Sequence, residues 1–445
     1  MPPLPPTRSE SVFTDFKSAY TDDQAAVEAN RCLYCYDAPC MNACPTHIDV
    51  AGFIRKIATG NVRGAARTIL DANIFGMSCA RVCPVEVLCV GDCVYNEKGV
   101  PPIQIGKLQR YATDKALAEG WRYFTAGPDT GRSVGLLGGG PASLACAHEL
   151  RRFGHAVTLY ERRDVLGGLN TTGVAPYKLR ADDALTEVDY VLGIGGIDVR
   201  TGVEVGRDLS LAELEARHDA VFVGAGLGPD SRLAVPGGDL PGVVGAVDFI
   251  ERMKLGTVSL DGVRTALVVG GGNTAVDVVR ELIGLGVGKV TLVYRGGEDG
   301  MSGYTHEWDA AKIDGANAAW HTVPVEVVGE GRVTGLRCAL TGPDKRPIPG
   351  QEVVLPADLV LVAIGQSTLG GLLAGLDGIT LDKGRVVVDA AGATGRPGWY
   401  AGGDCANGGK EVVNAVAEGK AAARAIHTFL SAGASTAAVT EAHRG

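Results

Sequence analysis

Apolar residues recur at helical spacing through roughly the first 125 positions. In AGFIRKIATGNVRGAARTIL (51–70), Phe53, Ile54, Ile57, Ala58 and Ala65 fall on successive turns, with few β-branched runs. IGKLQRYATDKALAEG (105–120) reads as a further helix, closed by Gly120. FTAGPDTGRS (124–133) breaks the pattern and reads as a linker. From Ser133 the period changes. SVGLLGGGPASLACAHELRRFGHAVTLYER (133–162) reads as strand, Gly-rich turn, helix and strand, and TALVVGGGNTAVDVVRELIGLGVGKVTLVYR (265–295) repeats that layout. Two βαβ units of one design predict an α/β chain: an all-helical front segment, then two domains with doubly wound parallel sheets. GRPGWYAGGDCANGGKEVVNAVAEGKAAARAIHTFL (395–430) reads as strand, loop and a long Ala-rich helix, and the last fifteen residues read as a frayed tail.

Composition narrows the class. A chain of 445 residues exceeds one compact core, which predicts two or three domains. The net charge of -9 argues against a nucleic-acid groove. No run of eighteen apolar residues predicts a membrane helix, and the opening MPPLPPTRSESVF lacks the apolar centre of a signal peptide. The expectation is a soluble cytoplasmic protein without nucleic-acid or membrane partners.

Each βαβ turn carries binding chemistry. Gly138, Gly139, Gly140, Pro141, Ala142 and Ser143 match G-x-G-x-x-[G/A] with Ser in the last place. Gly138 makes the tight turn, and Gly140 lets a pyrophosphate approach the backbone. The helix that follows aims its first N–H groups at that phosphate. Glu161, about twenty residues on, stands where a ribose hydroxyl is gripped. In the second unit, Gly270, Gly271, Gly272, Asn273, Thr274 and Ala275 form the turn. The ribose acid is absent and Arg295 stands near its place, which favours a 2′-phosphate and so NADP over NAD. The alternative is a surface arginine near Glu298 and Asp299. Two such Rossmann-like, nucleotide-binding domains imply a hydride relay between a nicotinamide and a flavin. In WYAGGDCANGG (399–409), Gly403 and Asp404 suit the ribityl chain and pyrophosphate of a flavin. The helix starting near Glu411, Val412 and Val413 can aim N–H groups at its pyrimidine edge.

These motifs, GGGPAS with YER, VAIG, and AGGD with EVVNAVAEGKAA, resemble the flavoprotein reductases with two dinucleotide domains. The resemblance covers residues 133–430 and implies that the nicotinamide domain (261–366) is inserted in an FAD domain (126–260 and 367–445). It also assigns Gly168 and Leu169 to the flavin site. The thioredoxin reductase branch relays through a Cys-x-x-Cys in the inserted domain. Here that domain holds only Cys338, so electrons must leave by another route.

Eight of eleven cysteines precede residue 94. A disulfide framework suits small secreted domains and does not suit this chain. The spacing is C-x2-C-x4-C-x3-C-P (32–45), then Cys79, then C-x5-C-x3-C (83–93). Zinc sites usually pair two C-x2-4-C knuckles. A run followed by Pro is closer to ferredoxin patterns, where the fourth Cys serves another cluster. Thiolates suit both metals, and a flavoprotein without a dithiol needs a one-electron outlet.

RCLYCYDAPCMNACPTHIDVAGFI, SCARVCPVEVLCVGDC and PIQIGKLQRYATD resemble the front half of dihydropyrimidine dehydrogenase. They are more similar still to the separate NAD(P)H-oxidising subunits of the bacterial enzyme, and glutamate synthase small subunits are more distant relatives with a similar cysteine domain. The resemblance implies two [4Fe–4S] clusters in a helical domain over 1–125. One is held by Cys32, Cys35, Cys40 and Cys93, the other by Cys44, Cys83, Cys89 and Gln109, with Cys79 left as a buried spectator. It implies an electron-input subunit with no catalytic side chain of its own. NAD(P)H is oxidised at FAD, and the electrons pass through both clusters to a partner bearing FMN and Fe–S centres that reduces uracil or thymine. The two would form a hetero-oligomer such as a heterotetramer. A glutamate synthase small subunit, or a similar adaptor, is the alternative within this class, and a zinc- and nucleotide-binding scaffold is the alternative outside it. The chain departs from the family in GVAPYKLR, where Lys178 replaces an arginine: a cation near flavin or cluster, or a solvated lysine.

Overall fold

The computed structural model describes residues 3–442. Its front domain holds α1 (Asp22–Asn30), α2 (Pro39–Asn42), α3 (Val50–Ala58), α4 (Val62–Ala72), α5 (Gly76–Val82) and α6 (Ile105–Ala118). Local chemistry sets the starts. Thr21 and Gln24 form a capping box on α1, Asp49 accepts from Gly52 N–H on α3, and Asn61 accepts from Gly64 N–H on α4. The stretch 51–70 is therefore two helices, because the Gly60 turn at φ +76° leads straight into the Asn61 cap. Phe53, Ile54, Ala65, Ile69 and Leu108 are buried, and their cluster runs on into Leu144, Val188 and Val416 of the next domain. The helical domain thus shares its core with its neighbour.

That neighbour begins with β1 (Ser133–Leu137), α7 (Pro141–Arg152), β2 (Ala156–Glu161), α8 (Leu169–Thr172), α9 (Ala181–Leu192), β3 (Ile197–Thr201), α10 (Leu211–Arg217) and β4 (Ala220–Val223). The chain then crosses into a second unit. It contains β5 (Val243–Gly245), α11 (Ala246–Leu255), β6 (Thr265–Val269), α12 (Asn273–Gly284), β7 (Lys289–Val293), α13 (Thr305–Asp314) and β8 (Asn317–Ala319). An antiparallel sheet of β9 (Thr322–Val328), β10 (Gly335–Thr341) and β11 (Pro347–Pro356) follows, then β12 (Leu359–Val362). On return come α14 (Gly370–Leu373), the hairpin of β13 (Leu381–Asp382) and β14 (Arg385–Val386), β15 (Trp399–Ala401), α15 (Asp404–Asn407) and α16 (Val412–Ala442). The two main sheets run β15-β4-β1-β2-β3 and β5-β12-β6-β7-β8, with every pair parallel. The backbone of α16 is helical through most of the stretch that reads as a frayed tail; residues 443–445 lie outside the described residues. Among the described residues, no helix is long and apolar enough to cross a membrane.

Two expected boundaries move. The insertion starts near residue 230, not 261, because β5 pairs with β12 and α11 packs Phe249, Ile250 and Met253 into the core of the second sheet. An antiparallel bridge between Asp230 and Gln366 joins the two crossings. The front domain also starts later than residue 1. Residues 5–20 form a strap over all three units. Ser9 N–H donates to Gly256 O, and Phe13 lies buried among Val278, Val279 and Leu282 of the inserted domain. Arg8 pairs with Glu10 and with Asp182 of α9, and Glu10 accepts from Ala181 N–H. Arg110 of α6 holds Asp15 and the Lys17 carbonyl. Phe13→Ala is expected to cost about 3 kcal/mol through the cavity it leaves. A fall in the urea midpoint of the full chain checks this.

Candidate functional site

The first turn wraps one end of a cavity of about 450 Å³. Gly138 has φ +85°, and a Cβ there would lie 2.6 Å from Gly224 O, so only glycine fits. Gly140 precedes α7 and has only Gly168 Cα, at 4.0 Å, in the path of a Cβ. That open cradle at a helix N-terminus fits a pyrophosphate. Gly138, Gly140, Pro141, Ala142, Glu161, Gly168, Leu169, Gly403, Asp404, Glu411 and Val412 all line the cavity. Ser143 does not: it is fully buried behind the turn, donating to Leu137 O. Val413 turns into the core shared with the helical domain. The Glu161 carboxylate accepts from Gly139 N–H at 2.7 Å and Arg163 N–H at 2.8 Å, which fixes it at the cavity wall. Burial pushes the carboxyls of Asp404 and Glu411 up.

The inserted domain closes the same cavity with Asn273, Asp277, Tyr304 and Glu307. Gly270 and Gly272 shape its turn, where a Cβ on Gly270 would lie 2.3 Å from Ala363 O. Asn273 opens α12 and accepts from Tyr304 N–H, Thr274 is half-buried, and Ala275 packs into the domain core. Tyr304 in turn donates to Glu411 at 2.8 Å, linking the second turn to the start of α16. Lys178 is neither solvated nor free. It bridges Asp277 at 2.8 Å and Glu307 at 2.6 Å across the seam between the sheet domains. Burial lowers its pKa, but the two carboxylates outweigh this and hold it above the usual value.

Arg295 is exposed just past β7, and among the described residues its guanidinium makes no ion pair. Glu298 is taken by Lys312 instead. Two more basic side chains reach the same loop. A Cβ on Gly296 would meet Lys345 Cε at 3.4 Å, and one on Gly297 would meet His321 Nε2 at 3.2 Å. Sequence reading missed both, because they arrive from the antiparallel sheet with no local motif.

The cysteines divide into two groups. Cys32, Cys35, Cys40 and Cys93 line one small cavity walled by Val50, Ile54, Ile103 and Ile105. Burial first, then its thiol neighbours Cys32, Cys93 and Cys35, push Cys40 up to about 12. Cys83 is held well above the usual thiol value by its hydrogen bond with Cys79, then by burial, then by Cys89 and Cys44. Binding of iron to such sulfurs must displace their protons. Cys79 is buried, and lies one helical turn before Cys83 on α5. Gln109 is buried on α6, and its Nε2 donates to Gly76 O at 2.7 Å, against the start of α5. Among the described residues, no three His, Cys, Asp or Glu side chains stand ready to hold one single metal ion.

Known proteins resemble both parts. The family description "dihydropyrimidine dehydrogenase domain II, 4Fe-4S cluster" matches residues 8–121, and "pyridine nucleotide-disulphide oxidoreductase" matches 132–419. A glutamate synthase [NADPH] small chain of Halomonas elongata is 36% identical, over 94% of this chain and 93% of its own. The NAD-dependent dihydropyrimidine dehydrogenase subunit PreT of Escherichia coli is 35% identical, over 95% of this chain and 98% of its own. Among solved structures, FprA of Mycobacterium tuberculosis superposes with TM-score 0.57 at 21% identity, covering 69% of this chain and 86% of its own. Thioredoxin reductase of T. acidophilum superposes with TM-score 0.54 at 22% identity, covering 67% and 98%. These two show the shared fold. The zinc scaffold gives way to 4Fe–4S chemistry. Gln109→Ala is expected roughly to halve the iron and acid-labile sulfide per chain, and Cys79→Ser to leave both unchanged. The reverse pattern in an iron and sulfide assay assigns the ligand position to Cys79. Matched along nearly its whole length, the chain belongs to the pyridine nucleotide-disulphide oxidoreductase family, in the group that includes glutamate synthase small chains and PreT, and is an NAD(P)H-dependent flavin and 4Fe–4S electron-transfer oxidoreductase.

Proposed function

We propose that this chain is the cytoplasmic electron-input subunit of a dihydropyrimidine dehydrogenase of the bacterial type. It oxidises NAD(P)H and delivers electrons to an FMN- and Fe–S-bearing partner that reduces uracil or thymine. One observation carries the route. Val82 lines the flavin cavity, and the next residue, Cys83, belongs to the second thiol group. Cys89 of that group is pushed up by burial, then by Cys44 and by Cys40 of the first group. The second thiol group thus begins one residue past the cavity wall.

Bound FAD supplies hydride uptake and single-electron release, and the clusters supply single-electron carriage. The chain's own residues position them. The 138–143 turn holds the FAD pyrophosphate, Glu161 a ribose, Asp404 the ribityl chain, and the start of α16 at 411–413 the ring edge. The 270–275 turn holds the nicotinamide nucleotide. Arg295, with Lys345 and His321 beside it, receives a 2′-phosphate. Cys32, Cys35, Cys40 and Cys93 ligate one cluster, and Cys44, Cys83, Cys89 and Gln109 the other. Beyond the first cavity, Leu33, Tyr36 and Val100 are exposed, with Asp37, Asp92 and Glu97 exposed in the same cysteine-bearing loops.

The glutamate synthase relative, matched over nearly the same length, supports a second reading as that enzyme's small chain. Mixing the purified chain with each kind of large subunit decides between them. Uracil-dependent NAD(P)H oxidation is expected with the FMN-bearing pyrimidine subunit. Oxidation dependent on glutamine and 2-oxoglutarate with a glutamate synthase large chain, and none with uracil, would select the second. Arg295→Ala is expected to lower the ratio of kcat/KM for NADPH over NADH about tenfold, the worth of one contact to a charged group. Equal losses with both nucleotides would remove Arg295 from the phosphate site.

A further inference from the structure

The chain carries a net charge of -9, yet one of its clefts is lined by cations. The cleft has a volume of about 710 Å³ and lies where α3 and α4 of the helical domain meet α16 of the flavin domain. None of its lining residues lines the flavin cavity. Lys56, Arg67, Lys420 and Arg424 stand on its wall against two carboxylates, Asp49 and Asp71.

Three of these cations have no counter-ion. Lys56 is half-buried, and its ammonium donates to the Thr68 hydroxyl. Lys420, also half-buried, donates to the carbonyls of Asp71 and Ala72 at the end of α4. Arg67 is exposed, and among the described residues none of the three forms an ion pair. The two carboxylates are engaged elsewhere: Asp49 caps α3 by accepting from Gly52 N–H, and Asp71 pairs with Arg152 at 3.0 Å. Arg424 shares Glu149 with Arg152.

A hydroxyl or a carbonyl satisfies an ammonium's hydrogen bonds but not its charge. Taking that charge partly out of water costs free energy that a counter-ion returns. Burial accordingly lowers the pKa of Lys420. An ammonium has three donors, so two remain on Lys56 and one on Lys420. Arg67 adds a planar fork that fits a phosphate or a carboxylate.

We propose that this cleft binds a compact polyanion, one with two or more phosphate or carboxylate groups close together, held by Lys56, Arg67 and Lys420. Cations contributed by three helices reward several negative charges on one ligand. The site joins the helical domain to α16, and Thr46 on its wall has Oγ1 3.3 Å from Cys44 Sγ. The ligand therefore lies beside the loop that carries Cys44. The site itself does not depend on the electron-input reading.

The test is isothermal titration of the full-length holoprotein, with FAD bound and NADP+ saturating so that the nucleotide sites are filled. Inorganic pyrophosphate or citrate is expected to bind at one site per chain, and acetate to give no measurable heat. The tighter of the two identifies the preferred group as phosphate or carboxylate. Arg67→Ala and Lys56→Gln are each expected to weaken binding about tenfold, the size of one hydrogen bond to a charged group. Arg67 has no partner to lose, glutamine keeps a donor for Thr68, and both variants leave the Lys420 contact with α4 in place. No binding of either polyanion to the wild type overturns the inference, and so does full affinity in both variants. Binding lost in Arg295→Ala instead would move the anion to the nucleotide turn and overturn the site. A peptide of consecutive glutamates that binds where both small anions fail would make the cleft a dock for an acidic chain segment, and the inference would fall.

Discussion

A nicotinamide gives up electrons as a pair and an iron–sulfur centre takes them one at a time, so a single flavin has to meet both. The rest of the structure answers to that constraint. Three units converge on one cavity: the first Gly-rich turn at one end, Asn273, Tyr304 and Glu307 of the inserted domain, and Val82 of the cysteine helix. The helical domain does not hang from a linker but shares an apolar core with the flavin domain. The seam to the inserted domain is mixed: Ala175 and Tyr177 join that domain's apolar core, and Lys178 lies between Asp277 and Glu307. A buried ion pair adds little net stability, but losing one partner typically costs about 3–5 kcal/mol. That asymmetry favours one relative placement of the two sheets. The two carboxylates at short range need a positive charge, and the Lys178 ammonium supplies it.

Much of this is legible in the sequence, for a local reason. A βαβ unit with a phosphate turn is written in consecutive residues, so both turns, their strands and the positions of Gly138, Gly140 and Glu161 can be read directly. The division of the cysteines is legible for a different reason. Spacing alone suggests that Cys44 leaves its neighbours, and Cys44 is not among the residues lining the cavity of Cys32, Cys35, Cys40 and Cys93.

What could not be read depends on partners far along the chain. β5 is three residues, VVG, and nothing local says which sheet it joins; β12, more than a hundred residues later, decides. Ser143 and Val413 sit within binding motifs, yet helix phase turns their side chains into cores. Cys79 is surplus by count, and only the helix shows that it sits one turn before Cys83. Lys345 and His321 reach the Arg295 loop from a sheet that carries no nucleotide motif.

The strap has a consequence for how the chain is made. Residues 5–20 leave the ribosome well before several of their partners, which include Tyr177, Asp182, Gly256 and Leu282. At typical elongation rates those partners emerge on the order of ten seconds or more later. Until then Phe13 has no pocket, and the segment stays undocked with that ring exposed. Docking it is therefore a late, long-range closure, of the kind that slows folding. A newborn chain stalled short of the inserted domain would leave Phe13 without its pocket.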